Sequence, residues 1–472
     1  MKKRWGIFLT VVVFLSSMLS GCRVEMVATY DAVILGSGVS GLVTAIDLAK
    51  NDLRVLIVEE DGIIGGNKRL LSGGVSFLNL EAADTPEQFM KDIENNNVGN
   101  STFFMDTVVE QSTEIPVWLQ EEDVDLTEIV LMPGQSVART LMSANGVHSG
   151  KELVSKLEVA LKKLGVEMEY NSSIDKVVKN NDGTFNLTID RRTTAVNVNT
   201  KTIILSEDAP SIFTSVVTIK SVNELANFER ETKISNTNGM ELLAELRGEY
   251  RTSGEPNLID TYNVASATQI SPTLRAYGGM LVNNAGKRFT NEMLGTMDIA
   301  KAIIEQPANE AYLIYDATIN EQLKFLEEYY NSDMVIKANT IVELSQKLAI
   351  DETTLRATLF KYKDMVSSQT DSDFSRNFIA DSKAFSEVGT ERSTYYAVKV
   401  QPVFTLVPTY AVVTNRFEVM EKSSSLPGVY AIGDSAFGVR PKSLLHGAEI
   451  TTHIVMGQYV AQEVENYLEK IK

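Results

Sequence analysis

The stretch from Asp31 to Glu59 constrains this chain more than any other. Asp31–Leu35 is an apolar run that reads as a buried strand, Gly36-Ser-Gly38-Val-Ser-Gly41 as a tight turn, and Leu42–Lys50 as a helix with Leu42, Ala45, Ile46 and Ala49 on one face. Arg54–Val58 follows as a second apolar strand and ends on Glu59. Each glycine has a physical task in such a unit. Gly36 permits the turn, Gly38 lets backbone approach a pyrophosphate, and Gly41 allows helix to pack closely on strand. Phosphates then meet the helix N-terminus, and Glu59 accepts ribose hydroxyls. The spacing predicts a dinucleotide-binding βαβ unit; the alternative is a glycine turn of purely structural use.

Two further segments narrow the ligand. Gly65-Gly66-Asn67 and Ser72-Gly73-Gly74 form a second glycine-rich stretch soon after Glu59, where backbone must approach something flat or charged. Near the end, Leu426–Asp434 reads as a turn, a short strand and an acid at the strand end. Together the three segments resemble the flavoprotein family of fumarate reductases and succinate dehydrogenases, particularly its soluble flavocytochrome-type members. The resemblance implies FAD as cofactor, with residues 65–74 along the isoalloxazine and Asp434 bonded to the ribityl chain. Covalent attachment through a histidine in that stretch is excluded, because residues 65–74 contain none. The FAD is therefore expected to be non-covalent.

The resemblance runs over most of the chain. Gly150–Leu164 is expected as an amphipathic helix, then strands at Val166–Tyr170, Ser173–Lys179, Thr184–Asp190 and Thr202–Leu205. Thr237-Asn-Gly239 is similar to the family's TGDGI helix start, and Gly286–Glu292 to its GKRFVNE stretch. The implied fold is α/β, a discontinuous Rossmann-type FAD-binding domain (30–264 and 403–472) carrying an inserted α+β capping domain (265–402). In that family the cap excludes water over the flavin, which exchanges hydride while a protein acid supplies the proton.

The residues that handle the dicarboxylate depart from the family. Its cap His-Pro-Thr aligns with Ser271-Pro272-Thr273. Its catalytic Arg belongs soon after the Asn291-Glu292 pair, yet Met293–Asp298 contains no Arg. Its HHTMGG aligns with the strand at Phe404–Tyr410, and its last carboxylate Arg with Leu444. A dicarboxylate needs fixed cationic clamps, and each lost charge-assisted hydrogen bond removes about 1.5–3 kcal/mol. Fumarate is thus a poor expected substrate. The family's ATGG is also replaced, by Ser206-Glu207-Asp208-Ala209-Pro210.

Arg275 aligns with an Arg of the family's proton-delivery path, so it is a candidate proton donor or anion clamp, the alternative being a cap ion pair. Arg440, Lys442 and His446 lie where the family contacts the flavin pyrimidine, and His446 is the candidate pH-active group. Tyr395, Tyr396 and Tyr410 are candidate acids or packing residues. Arg288 reads as a structural anchor. The remaining histidines, His148 and His453, show no ligand partner at metal-binding spacing, so no metal is expected.

The N-terminus addresses location. Lys2, Lys3 and Arg4 precede an apolar run, Trp5–Met18, that is too short for a comfortable membrane span. Leu19-Ser20-Gly21-Cys22 then resembles the lipobox of bacterial lipoproteins, which implies acylation of Cys22 after removal of residues 1–21, a tether at 22–29 and an extracytoplasmic site on the membrane. An ordinary secretory signal or a short anchor is the alternative. Cys22 is the only cysteine, so an intrachain disulfide, a thiolate metal cluster and a CxxCH haem site are impossible, and redox work belongs to a bound cofactor. The expected partners are a small-molecule substrate or electron acceptor and an external electron donor, protein or small reductant. A net charge of −18 argues against nucleic acid. Beside a reductase, the sequence leaves open an electron-transfer lipoprotein with a degenerate pocket and a receptor-like lipoprotein without flavin.

Overall fold

The computed structural model describes residues 27–96, 104–144, 146–207, 216–226, 238–252, 258–330, 333–379, 382–405, 409–436 and 445–472. Cys22 with the leader, Asp208–Pro210, Thr237, Arg440, Lys442 and Leu444 lie outside them.

The first sheet is built on the strand Ala28–Leu35, which pairs in parallel with Val55–Val58 on one side and Ala195–Leu205 on the other. Glu167–Glu169 extends it beyond Val55–Val58, and Ser424–Ala431 beyond Ala195–Leu205, again in parallel. All four residues of Val55–Val58 are buried, as expected of a parallel strand covered on both faces. The register aligns Leu35 with Val58 and with Leu205, and Leu205 with Ala431. The residues that follow those strand ends, Gly36, Glu59, Ser206 and the segment reaching Asp434, therefore open on one edge of the sheet. Ligands of doubly wound sheets bind at this carboxyl edge.

The long helix Ala448–Lys470 lies against the helix Val39–Lys50. The two touch backbone to backbone: a Cβ on Gly457 would fall 2.6 Å from the Ser40 carbonyl, and Thr44 Oγ1 donates to the Gly457 carbonyl at 3.0 Å. The expected amphipathic helix spans Ser149–Lys163. The hairpin Ser173–Lys179 and Phe185–Asp190 forms as expected. The return strand is longer than its apolar core suggested, running from Ala195, because its polar first half is held by antiparallel pairing with Phe185–Asp190.

A second sheet centres on Tyr395–Thr405, which pairs antiparallel with Val216–Thr218, Leu258–Asn263, Ala311–Asp316 and Val335–Ala338. Helices Thr296–Ile304, Ile341–Leu348 and Glu352–Ser368 belong to the same region. Thr340 and Asp351 cap the latter two by accepting from the N–H groups of Glu343 and Thr354. Beneath lies a buried ionic cluster. Arg288 bonds Glu292 and Asp371, each at 2.7 Å, and Arg376 reaches Glu292 at 3.0 Å. Burial alone would raise the Glu292 carboxyl, but the guanidiniums of Arg376 and Arg288 outweigh it and hold the group low. Arg288 is an anchor of this region. No helix among the described residues is long and apolar enough to cross a membrane.

Candidate cofactor and active site

At the carboxyl edge the glycine turn has the conformation its residue types require. Gly36 has φ of +87°, and a Cβ there would lie 2.6 Å from the Glu207 Cα. Gly38 caps the helix Val39–Lys50 and, lacking a side chain, offers no acceptor of its own to the first-turn N–H groups, which suits an external anion. A Cβ on Gly41 would stand 2.7 Å from the Ser206 hydroxyl and 3.1 Å from Ile34, so helix and sheet do meet too closely for a side chain. The Ser206 hydroxyl is itself buried with no hydrogen-bond partner among the described residues.

Glu59 stands at the next strand end and accepts from the Ser37 N–H at 2.9 Å and the Ser37 hydroxyl at 2.5 Å. Its carboxylate is thereby fixed beside the turn. The second glycine stretch returns to the same place, with the Gly65 N–H donating to the Ser37 carbonyl at 3.1 Å. Gly65, Gly66 and Gly74 all have positive φ, at +92°, +46° and +72°. Gly65 would clash with Val154, and Gly74 with Thr140, if either carried a Cβ. Asn67 lies in the short helix Gly66–Leu70. An uncapped helix end, an orphaned buried hydroxyl and a ribose-ready acid together fit a dinucleotide, and FAD in particular where the second glycine stretch joins them.

Asp434 occupies the short helix Gly433–Ser435 at the end of Ser424–Ala431 and is almost fully buried. Its Oδ2 pairs with Lys68 Nζ at 2.9 Å, and Lys68 also lies 3.2 Å from Glu449. The His453 Nε2 is 3.6 Å from Asp434 Oδ1. His453 therefore does have carboxylate neighbours, contrary to its reading as an isolated histidine. Glu449 is four residues earlier on the same helix, a spacing visible in the sequence, whereas Asp434 arrives from a distant strand. His148 too has one, Glu328 at 3.2 Å.

The second group of candidates gathers around Arg275. Arg275, fully buried on Pro272–Ala276, donates through Nη2 to Asp260 Oδ2 at 2.7 Å, while its Nε and Nη1 have no partner among the described residues. The His446 Nε2 is likewise buried and without a partner. Burial pushes the imidazole down to about 4, an effect that Asp260 opposes and Arg275 reinforces. His446 is tied to the glycine stretch through its carbonyl, which accepts from Ser76 Oγ at 3.3 Å and Gln135 Nε2 at 3.0 Å. Asp260 carried no local signal in the sequence, since only folding brings the strand Leu258–Asn263 to Arg275.

The clamp positions are filled in another way. The Ser271 hydroxyl is hydrogen-bonded to that of Ser72 and accepts from the Thr273 N–H at 3.1 Å, so it joins the short helix to the glycine stretch. Phe404 packs with Ile219, Ala300 and Ile304 in a small apolar cluster, against which Met297 also rests. Thr296 is buried at the start of its helix. Tyr395 and Tyr396 are packing residues: the Tyr396 ring stacks on Tyr315 at 5.1 Å, and the Tyr395 hydroxyl accepts from the Gly389 N–H.

A doubly wound sheet with this carboxyl edge, beside a second, antiparallel sheet, defines a dinucleotide-dependent oxidoreductase architecture. The chain belongs to the family described as FAD binding domain, whose model matches residues 31–449. It is similar to a fumarate reductase (cytochrome) of Shewanella frigidimarina, 26% identical over 467 residues that cover 94% of this chain and 78% of that one. Similarity extends to a urocanate reductase of Eggerthella lenta, 22% identical, with 91% and 73% of the two chains covered. Among solved structures, the open conformation of a flavocytochrome c3 fumarate reductase superposes with a TM-score of 0.62 at 21% identity, covering 96% of this chain and 80% of that one. The α/β fold and the family resemblance read from the sequence hold. FAD is the cofactor, and the chain is an FAD-dependent oxidoreductase of the fumarate reductase family.

Proposed function

We propose that this protein is a lipid-anchored, extracytoplasmic reductase that passes electrons from an external donor to a small acceptor other than fumarate. The observation that carries the reading is the exchange of clamps for packing. Ser271 is bonded inward and Phe404 and Met297 share an apolar cluster, while Arg275 and His446 keep buried donors without partners. FAD supplies hydride exchange when bound. Gly36, Gly38, Gly41, Glu59, Gly65, Gly66, Asn67, Ser72, Gly73, Gly74 and Asp434 hold it, in a domain formed by residues 30–264 and 403–472 under a cap of residues 265–402.

In the reaction Arg275 and His446 orient the acceptor by hydrogen bonding, and Arg275 delivers the proton. Asp260 offsets the Arg275 charge, and the imidazole is neutral at neutral pH, so the pair offers hydrogen-bond donors with little net charge. That suits one polarised carbonyl better than two carboxylates. The test is anaerobic reoxidation of the chemically reduced holoprotein by a panel of unsaturated acids and enones. Negligible turnover of fumarate is expected, with reoxidation by a less charged member that Arg275→Gln slows by about tenfold or more. Saturable reduction of fumarate would overturn the reading, and a protein inert to the whole panel would favour an electron-transfer role.

A further inference from the structure

A line of polar contacts runs below the glycine turn and ends on a buried ammonium. Ser40, in the first turn of Val39–Lys50, bonds His453 Nδ1 through its hydroxyl at 2.9 Å. His453 faces Asp434, and Asp434 pairs with Lys68, which Glu449 flanks on the other side. The side-chain oxygens and nitrogen of Asp434, Glu449 and His453 lie within 4.8 Å of one another, close enough to hold a metal ion. Lys68 already touches both carboxylates, so the cation of this cluster is the protein's own. Lys68 is only 4% exposed, and burying an ammonium is costly unless it is paired.

The charge balance around the cofactor gives Lys68 a purpose. Glu207 sits against Gly36 with its carboxylate on the Gly239 N–H at 2.8 Å, and Glu59 lies across the same turn. With Asp434 and Glu449 these are four acids around a site that must accept the two negative charges of a diphosphate. Backbone N–H groups at one helix end contribute only about half a positive charge. Lys68 follows Gly65 and Gly66 in a stretch whose Gly65 N–H is bonded to the Ser37 carbonyl of the phosphate turn, which brings its backbone close to that helix end.

We infer that Lys68 is the fixed cation that holds the FAD diphosphate, with Asp434 and Glu449 keeping its ammonium in the site. Apoprotein is titrated with FAD, followed by flavin fluorescence, and with ADP as competitor, each at several salt concentrations. Lys68→Met is expected to weaken both ligands by about tenfold or more and to flatten the salt dependence, while Lys68→Arg keeps most of the affinity. Lys68→Met leaves two acids unpaired, so Lys68→Met/Glu449→Gln, which removes one acid with the cation, guards against a folding defect and is expected to show the same losses. Wild-type affinity and salt dependence for FAD and ADP in either folded variant would overturn the assignment. So would a loss confined to FAD, since that would put Lys68 on the flavin half of the cofactor.

Discussion

His446 is held neutral at a cost in acid. Its imidazole is pushed down to about 4, chiefly by burial, whereas in an unfolded chain it titrates near 6.5. Between those values the unfolded state binds the extra proton, so stability rises with pH there. The contribution of the neutral ring is complete above about pH 6.5 and shrinks as pH falls toward 4. His446→Gln removes this linkage, so the melting temperature of the variant is expected to fall less than that of the wild type from pH 7 to 5, about the window of the linkage. An identical decline in the two proteins would mean that His446 is accessible to protons in the native state. At this scale the sequence carried what a motif carries. Arg275 and Ser271 were legible because a neighbouring motif fixes their alignment. Asp260 and Lys68 were not, because a buried pair joins residues whose separation in the chain has no pattern.

Elements separate glycines that serve the fold from those that serve the ligand. Gly74 has φ of +72° and would meet Thr140 at 2.4 Å, so Gly74→Ala is expected to lower the melting temperature of the apoprotein. Gly73 differs: a Cβ there finds only the Gly447 N, at the ordinary contact distance of 3.8 Å. Gly73→Ala is therefore expected to leave apoprotein melting unchanged and to weaken FAD binding, a contrast that calorimetry and flavin titration read separately. Unimpaired FAD binding by Gly73→Ala would remove that residue from the cofactor surface. Gly38→Val is expected to abolish FAD binding, since a side chain at the helix cap would stand where the phosphates must approach the backbone. The strands and helices of the first sheet were legible from apolar runs bounded by glycine. The second sheet was less so, because antiparallel pairing between strands far apart in sequence leaves no periodic trace beyond each strand.

For the whole molecule, location rests on the first residues. If Cys22 is acylated, Cys22→Ser is expected to move the protein from the membrane fraction into the medium or periplasm, or to leave an unprocessed precursor, as fractionation and N-terminal mass would show. Processed protein that stays with the membrane would point to another anchor. The span from residue 258 to residue 405 has a consequence of a different kind. Leu258 pairs with Phe404 and Ile259 with Val403, so the strand that opens this span lies beside the strand that closes it. The long excursion between them hangs from a two-stranded stem whose ends are already together, and closing it asks no more of the first sheet than a hairpin would. On the proposed assignment of Arg275 to the acceptor, its share of acceptor recognition is an exchangeable part: a different excursion grafted on the same stem is expected to alter that share while the carboxyl edge of the first sheet is left as it was.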